Sequence, residues 1–152
     1  MKEYNYKFIH IYADHRNTLY AIPTGFSQKL KTETIIDIIN ILELPYSDED
    51  ISNLVFKTFF QCYTKERAEE DDEPCSIAKH FAVKTYPEAV RGLKLLIADW
   101  TVEEGYSIIS TSKIKRRGYV HLEDKIKMLG FDPKPGEIAV AIRQAIEEST
   151  TY

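Results

Sequence analysis

Between Tyr6 and Ala13 the chain alternates, with Phe8, His10 and Tyr12 on one side and Ile9 and Ile11 on the other. That period of two predicts a strand that is apolar on both faces. Asp14-His15-Arg16-Asn17 is a polar turn cluster, and Thr18–Ile22 returns as a second strand. Pro23-Thr24-Gly25 is read as its end, which predicts an N-terminal hairpin. Thr32–Leu44 is crowded with isoleucines at 35, 36, 38, 39 and 41. The 35/38/39/42 spacing predicts a short helix over 35–43, although so many β-branched residues also suit a buried strand.

A second helix is predicted over 48–65. Ser47 can cap it, with Asp50 three residues on at the positive helix end. Ile51, Leu54, Val55, Phe59 and Cys62 form one apolar stripe, and Phe56, Phe60 and Tyr63 form another beside it. So wide a face means either deep burial or a stripe that meets a partner. Pro74 is the expected stop of the segment that follows. Thr85 and Pro87 predict a short helix over 86–92, with Gly92 near its end. Leu95–Thr101 and Tyr106–Thr111 then form a hairpin turning at Glu104-Gly105, and Tyr119–Leu122 reads as a further strand. A last helix over 135–148 begins at Pro135 and buries Ile138, Ala141, Ile142, Ala145 and Ile146.

These elements predict a single α+β domain over residues 1–152. Its central antiparallel or mixed sheet is built from two hairpins, with helices packed against it. An internal echo runs through the pattern: Leu42…Asp50-Ile51…Val55…Phe59 matches Leu129…Glu137-Ile138…Ile142…Ile146 at a constant offset. Each is a leucine, a proline-containing loop, an acid-isoleucine pair and an amphipathic helix. No short repeat of the solenoid type is present.

Composition narrows the function. The chain is 43% hydrophobic and 12% aromatic over 152 residues, enough for one folded core and too little for two. No apolar run reaches the length of a membrane span. Met1-Lys2-Glu3-Tyr4-Asn5 lacks the pattern of a secretory signal, so a soluble cytoplasmic protein with no membrane partner is expected. Cys62 and Cys75 make no disulfide framework and have no metal-ligand spacing. His10, His15, His80 and His121 have neither a second ligand nearby nor a nucleophile motif, and no Gly-rich phosphate loop is present. No catalytic residue, metal or cofactor is therefore expected.

Charge is distributed unevenly. The net charge is −4, and six of the eight residues Glu66–Glu73 are acidic. Negative charge at the C-terminal end of a helix opposes its dipole, so Glu66, Glu69, Glu70, Asp71, Asp72 and Glu73 have no local stabilising role. They are either a solvated loop or a surface for a basic partner. Lys113, Lys115, Arg116 and Arg117, followed by Tyr119, are the basic cluster. Such a run can hold a phosphate backbone, which leaves a nucleic-acid-binding regulator using Lys113–Tyr119 as the alternative. One cluster in a net-acidic chain disfavours nucleic acid as a partner.

The order of modules from Lys84 to Ser149 resembles the immunity proteins of bacterial contact-dependent growth inhibition systems. Lys84-Thr85-Tyr86-Pro87-Glu88-Ala89-Val90-Arg91-Gly92-Leu93-Lys94 is similar to the short helix that precedes a hairpin in that family. Ser112-Lys113-Ile114-Lys115-Arg116-Arg117-Gly118-Tyr119 is similar to its Lys-rich, Gly-aromatic segment. Gly136-Glu137-Ile138-Ala139-Val140-Ala141-Ile142-Arg143-Gln144-Ala145-Ile146 is similar to its closing helix. Ala139 stands where the family usually has glycine, and Tyr119 where it has tryptophan. The resemblance covers about half of the chain. It implies a non-catalytic inhibitor whose partner is a cognate toxin C-terminal domain, often a nuclease. The acids between Glu66 and Glu73 are the expected toxin contacts, with Glu103 and Glu104 next, and Phe60 and Tyr63 are the aromatic anchors if the second helical stripe is exposed.

Overall fold

The computed structural model describes residues 5–65 and 75–151. The elements follow as β1 (Tyr6–Ala13), β2 (Leu19–Ser27), β3 (Thr32–Ile35), β4 (Asn40–Leu42), α1 (Asp48–Phe60), α2 (Ser76–His80), α3 (Tyr86–Ala89), β5 (Lys94–Thr101), β6 (Gly105–Ile114), β7 (Gly118–His121), β8 (Lys127–Gly130) and α4 (Pro135–Glu148). They build one α+β architecture. The sheet runs β3-β2-β1-β5-β6-β7, with β4 also on β2 and β8 also on β6. Each of these ladders is antiparallel.

The two-faced strand predicted from Tyr6 lies at the centre of the sheet, between β2 and β5. Ile9, Ile11 and Ala13 face the main core under α1 and α4. Tyr12 faces a second core with Tyr20, Ile22 and Leu95 under α2 and α3. Both helices of the main core are well specified. Ser47 and Asp50 close a capping box on α1. The five apolar residues predicted for the last helix are all buried. Ser47→Ala is expected to cost about 1 kcal/mol of unfolding free energy, measurable by urea denaturation.

Several expectations are corrected. The segment 35–43 is not a helix: it holds the end of β3 and all of β4, strands that pair in succession with the two halves of β2. Its β-branched side chains suit that pleated edge better than a helix. The second strand does not end at Pro23-Thr24-Gly25 and continues to Ser27. Pro23 is tolerated because its carbonyl accepts from Ile36. Its missing N–H therefore falls on the same side, in the break between β3 and β4. The Thr24 hydroxyl then bonds both the carbonyl and the N–H of Phe8. Helix α1 stops at Phe60 rather than 65, because Tyr63 takes φ 63° and donates its N–H to Thr24. Helix α3 is only Tyr86–Ala89, capped by Thr85 as expected. Short α2 and β8 went unpredicted, being too brief to show a period.

The echo at a fixed offset is a duplication of structure. Asn40 of β4 corresponds to Lys127 of β8, and Asp48 of α1 to Pro135 of α4, an offset of 87 in both cases. Strand registers repeat with it. Ile9 pairs with Pro23 as Leu96 pairs with Ser110, and Ala21 with Asn40 as Ile108 with Lys127. Even a side-chain bond recurs, Thr24 to the Phe8 carbonyl and Thr111 to the Leu95 carbonyl. The cross-strand pair His10 and Ile97 maps onto itself under that offset, so it lies on a pseudo-twofold axis relating two ββββα units. Helices α2 and α3 lie in the connection between the units and cover one face only.

Candidate functional site

The predicted contact acids divide into two groups. Glu66, Glu69, Glu70, Asp71, Asp72 and Glu73 lie outside the described residues. The chain leaves for that stretch at Lys65, whose backbone lies against Gly25 of β2. Glu103 and Glu104 are exposed in the β5–β6 turn, where Glu104 donates its N–H to the Thr101 hydroxyl. Tyr63, just before Lys65, donates its hydroxyl to the Tyr6 carbonyl, and Tyr6 pairs with Thr101 at the foot of that turn. Lys65 and the turn thus belong to one end of the sheet.

Aromatic residues gather at the same end. Phe56 and Phe59 meet Tyr106 edge-on at 5.8 and 5.3 Å. With Trp100, Phe60 and Lys7 they line a cavity of about 290 Å³. Phe60 is 85% exposed, so the second helical stripe is only partly covered: Phe56 and Tyr63 are half-buried and Phe60 is open. Val102 and Phe131, also largely exposed, flank the turn. An apolar patch edged by Glu103 and Glu104 has the makeup of a binding surface, aromatic at the centre and charged at the rim.

The basic cluster lies on the opposite face. Lys113 and Tyr119 pair across the β6–β7 hairpin, and Lys115, Arg116 and Arg117 are exposed at its tip. The Tyr119 hydroxyl donates to the Leu93 carbonyl at 2.7 Å and the Lys113 amine to the Val90 carbonyl at 3.1 Å. These bonds clamp the hairpin to the end of α3. Between the two lies a cavity of about 660 Å³ whose lining includes His10, Leu95, Ile97, Arg91, Lys113 and Arg116. Burial lowers the Lys113 pKa, and the Arg91 charge lowers it further.

The histidines separate by environment. His15 is exposed in the first turn, and His80 packs on Tyr20 and Phe81. His10 sits beside Tyr12, whose hydroxyl bonds Tyr86 at 2.7 Å. Its pKa is lowered to about 4 by burial, and secondarily by the charge of His121. Asp99 is raised by burial, opposed by its bond from the Ser107 hydroxyl and by His121. Among the described residues no three His, Cys, Asp or Glu side chains are placed to hold a metal ion. Cys62 is buried, Cys75 is half-buried, and both are free thiols. No helix among the described residues is long and apolar enough to cross a membrane.

No protein-family model matches the chain, and no curated protein matches it. Solved structures do. A protein of unknown function from Neisseria meningitidis superposes with a TM-score of 0.69 at 14% identity, over 98% of this chain and 99% of the other. A chain of the CdiA-CT/CdiI toxin and immunity complex from Yersinia pseudotuberculosis superposes at 0.67 and 11% identity, over 96% and 98%. The fold is shared. At such identities no side chain of a site carries over from either neighbour.

Both surfaces were partly visible in the sequence. Glu103, Glu104, Phe60 and the basic run stand out by local pattern alone. Trp100, Tyr106 and Arg91 do not, because nothing local distinguishes a strand aromatic or a lone arginine until other elements are packed beside it.

Proposed function

We propose that this chain is an immunity protein that binds a cognate toxin domain and neutralises it by occupancy, without catalysis. The observation that carries the reading is a fold shared along nearly its whole length with a chain of a toxin and immunity complex. The order of modules from Lys84 to Ser149 supports it independently. The binding surface in this reading is the end of the sheet around Phe60, Trp100, Glu103 and Glu104, extended by the acids between Glu66 and Glu73. Exposed aromatics supply anchors there, and a rim of acids speeds the approach of a basic partner. A nuclease domain, basic where it meets phosphate, is the toxin class that such a rim suits best.

Co-expression with the toxin gene encoded beside this one tests the proposal. Growth should be restored and the two proteins should co-purify. Continued arrest in the presence of soluble, folded chain would overturn it. Within the complex, Phe60→Ala should weaken binding by about 1–2 kcal/mol, while unfolding free energy changes by less than about 0.5 kcal/mol. Joint replacement Glu70→Lys, Asp71→Lys and Asp72→Lys should slow association roughly tenfold at low salt. An unchanged association rate would move the contact surface elsewhere.

The nucleic-acid reading gains little from the geometry. Tyr119, the residue it needs for stacking on a base, is tied by its hydroxyl to the Leu93 carbonyl just before β5 and meets Tyr12 edge-on.

A further inference from the structure

We propose that the cavity between α3 and the β6–β7 hairpin binds a small organic anion: a compact, ring-bearing body carrying a carboxylate or a phosphate. At about 660 Å³ it falls within the range of small-molecule sites, roughly 300–1,000 Å³. Its floor is apolar, from Val90, Leu95 and Ile97, with His10 beside them. That histidine is neutral near pH 7, since its pKa is lowered to about 4. Three cations stand around this floor, Arg91, Lys113 and Arg116, and no aspartate or glutamate among the described residues lines it. Arg91 is close enough to Lys113 to depress its pKa.

Neither arginine has a carboxylate partner among the described residues. In a chain of net charge −4, a concave site with three cations and no acid among the described residues of its wall is set apart from its surroundings. Low-dielectric walls focus such a field, and a bound anion relieves the mutual repulsion. Guanidinium groups suit the task because their forked donors match carboxylate and phosphate oxygens. The repeated scaffold does not account for the cavity. Its first wall, α3, belongs to the connection between the two units, so the site exists only where that insertion meets the β6–β7 hairpin.

Calorimetric titration of the full chain with phenyl phosphate and with benzoate tests this, with inorganic phosphate and acetate as charge-only controls. The two ring-bearing probes distinguish a phosphate ligand from a carboxylate. At least one should bind with 1:1 stoichiometry and a Kd on the order of 1 mM. Its charge-only counterpart should bind at least about tenfold more weakly. Arg91→Ala and Arg116→Ala should each weaken binding roughly fivefold or more, and the methyl resonances of Leu95 and Ile97 should shift on titration. Both arginines are exposed, so thermal unfolding of the variants should match the parent and confirm that the fold is intact. No saturable binding by either probe, equal binding of the charge-only controls, or affinity unchanged in both variants would each overturn the proposal. None of these results bears on toxin neutralisation, which is read out by growth and co-purification.

Discussion

Gly105→Ala is expected to lower the unfolding free energy by about 4 kcal/mol, the sum of a strained backbone and an overpacked contact. Gly105 has φ +77°, a conformation that disfavours a side chain. A Cβ there would overlap the Gly130 carbonyl and stand 2.8 Å from the Phe131 nitrogen. Those neighbours are backbone atoms at the end of β8 and the start of the β8–α4 connection, so no rotamer change relieves the clash. Gly118 provides the control. Its φ is +75°, but a Cβ there meets nothing within 4 Å, so Gly118→Ala should cost only about 1 kcal/mol. Urea denaturation of the two variants separates close approach from backbone strain. If they lose equal stability, the packing of the β5–β6 turn against Gly130 is not what the geometry implies. That turn carries Glu103 and Glu104, so under the proposed function Gly105→Ala should also weaken toxin binding by displacing them.

Acidification is expected to remove about 3 kcal/mol of stability between pH 6.5 and pH 4, through His10 alone. The folded pKa of His10 is lowered to about 4, with burial as the main cause, whereas an unfolded histidine titrates near 6.5. Between those values the unfolded chain binds the proton and the folded chain does not, so stability falls as the pH falls. Two other groups modify the profile. Asp99, raised by burial, has the opposite sign: its folded form holds a proton to higher pH than its unfolded form, which gives back stability on acidification. Glu148 is lowered by its bond to Lys127, so it loses stability as pH falls, mainly at the acid end of the window. Urea unfolding at pH 7.5, 5.5 and 4.5 measures the total, and His10→Gln isolates the histidine. The variant should show a flatter profile from 6.5 to 5; an unaltered slope would mean that His10 is not held neutral.

What a local pattern encodes was legible, and what depends on distant pairing was not. Helices α1 and α4 were readable because thirteen and fourteen residues allow several turns of apolar spacing, and because Ser47-Asp50 and Pro135 mark their starts. Segment 35–43 misled because its isoleucines satisfy two periods at once. Contact with β2 decided between them, and β2 lies a turn away in the chain. The end of β2 was misplaced for a related reason. Pro23 breaks most strands, yet here its missing donor falls in the break between two short partners.

The acid-isoleucine echo at 87 residues was visible as letters. Only the repeated registers turned it into a pair of ββββα units about an axis at His10 and Ile97. By itself, then, the sequence determined the α+β class, the central two-faced strand, the two long helices and their buried faces, because each rests on contacts a few residues apart. Tertiary structure decided the edge strands, the exposure of Phe60 beside Trp100 and Tyr106, and the meeting of Arg91 with Lys113 and Arg116. These join residues tens of positions apart, and no spacing along the chain records which surfaces will face one another once the sheet has formed.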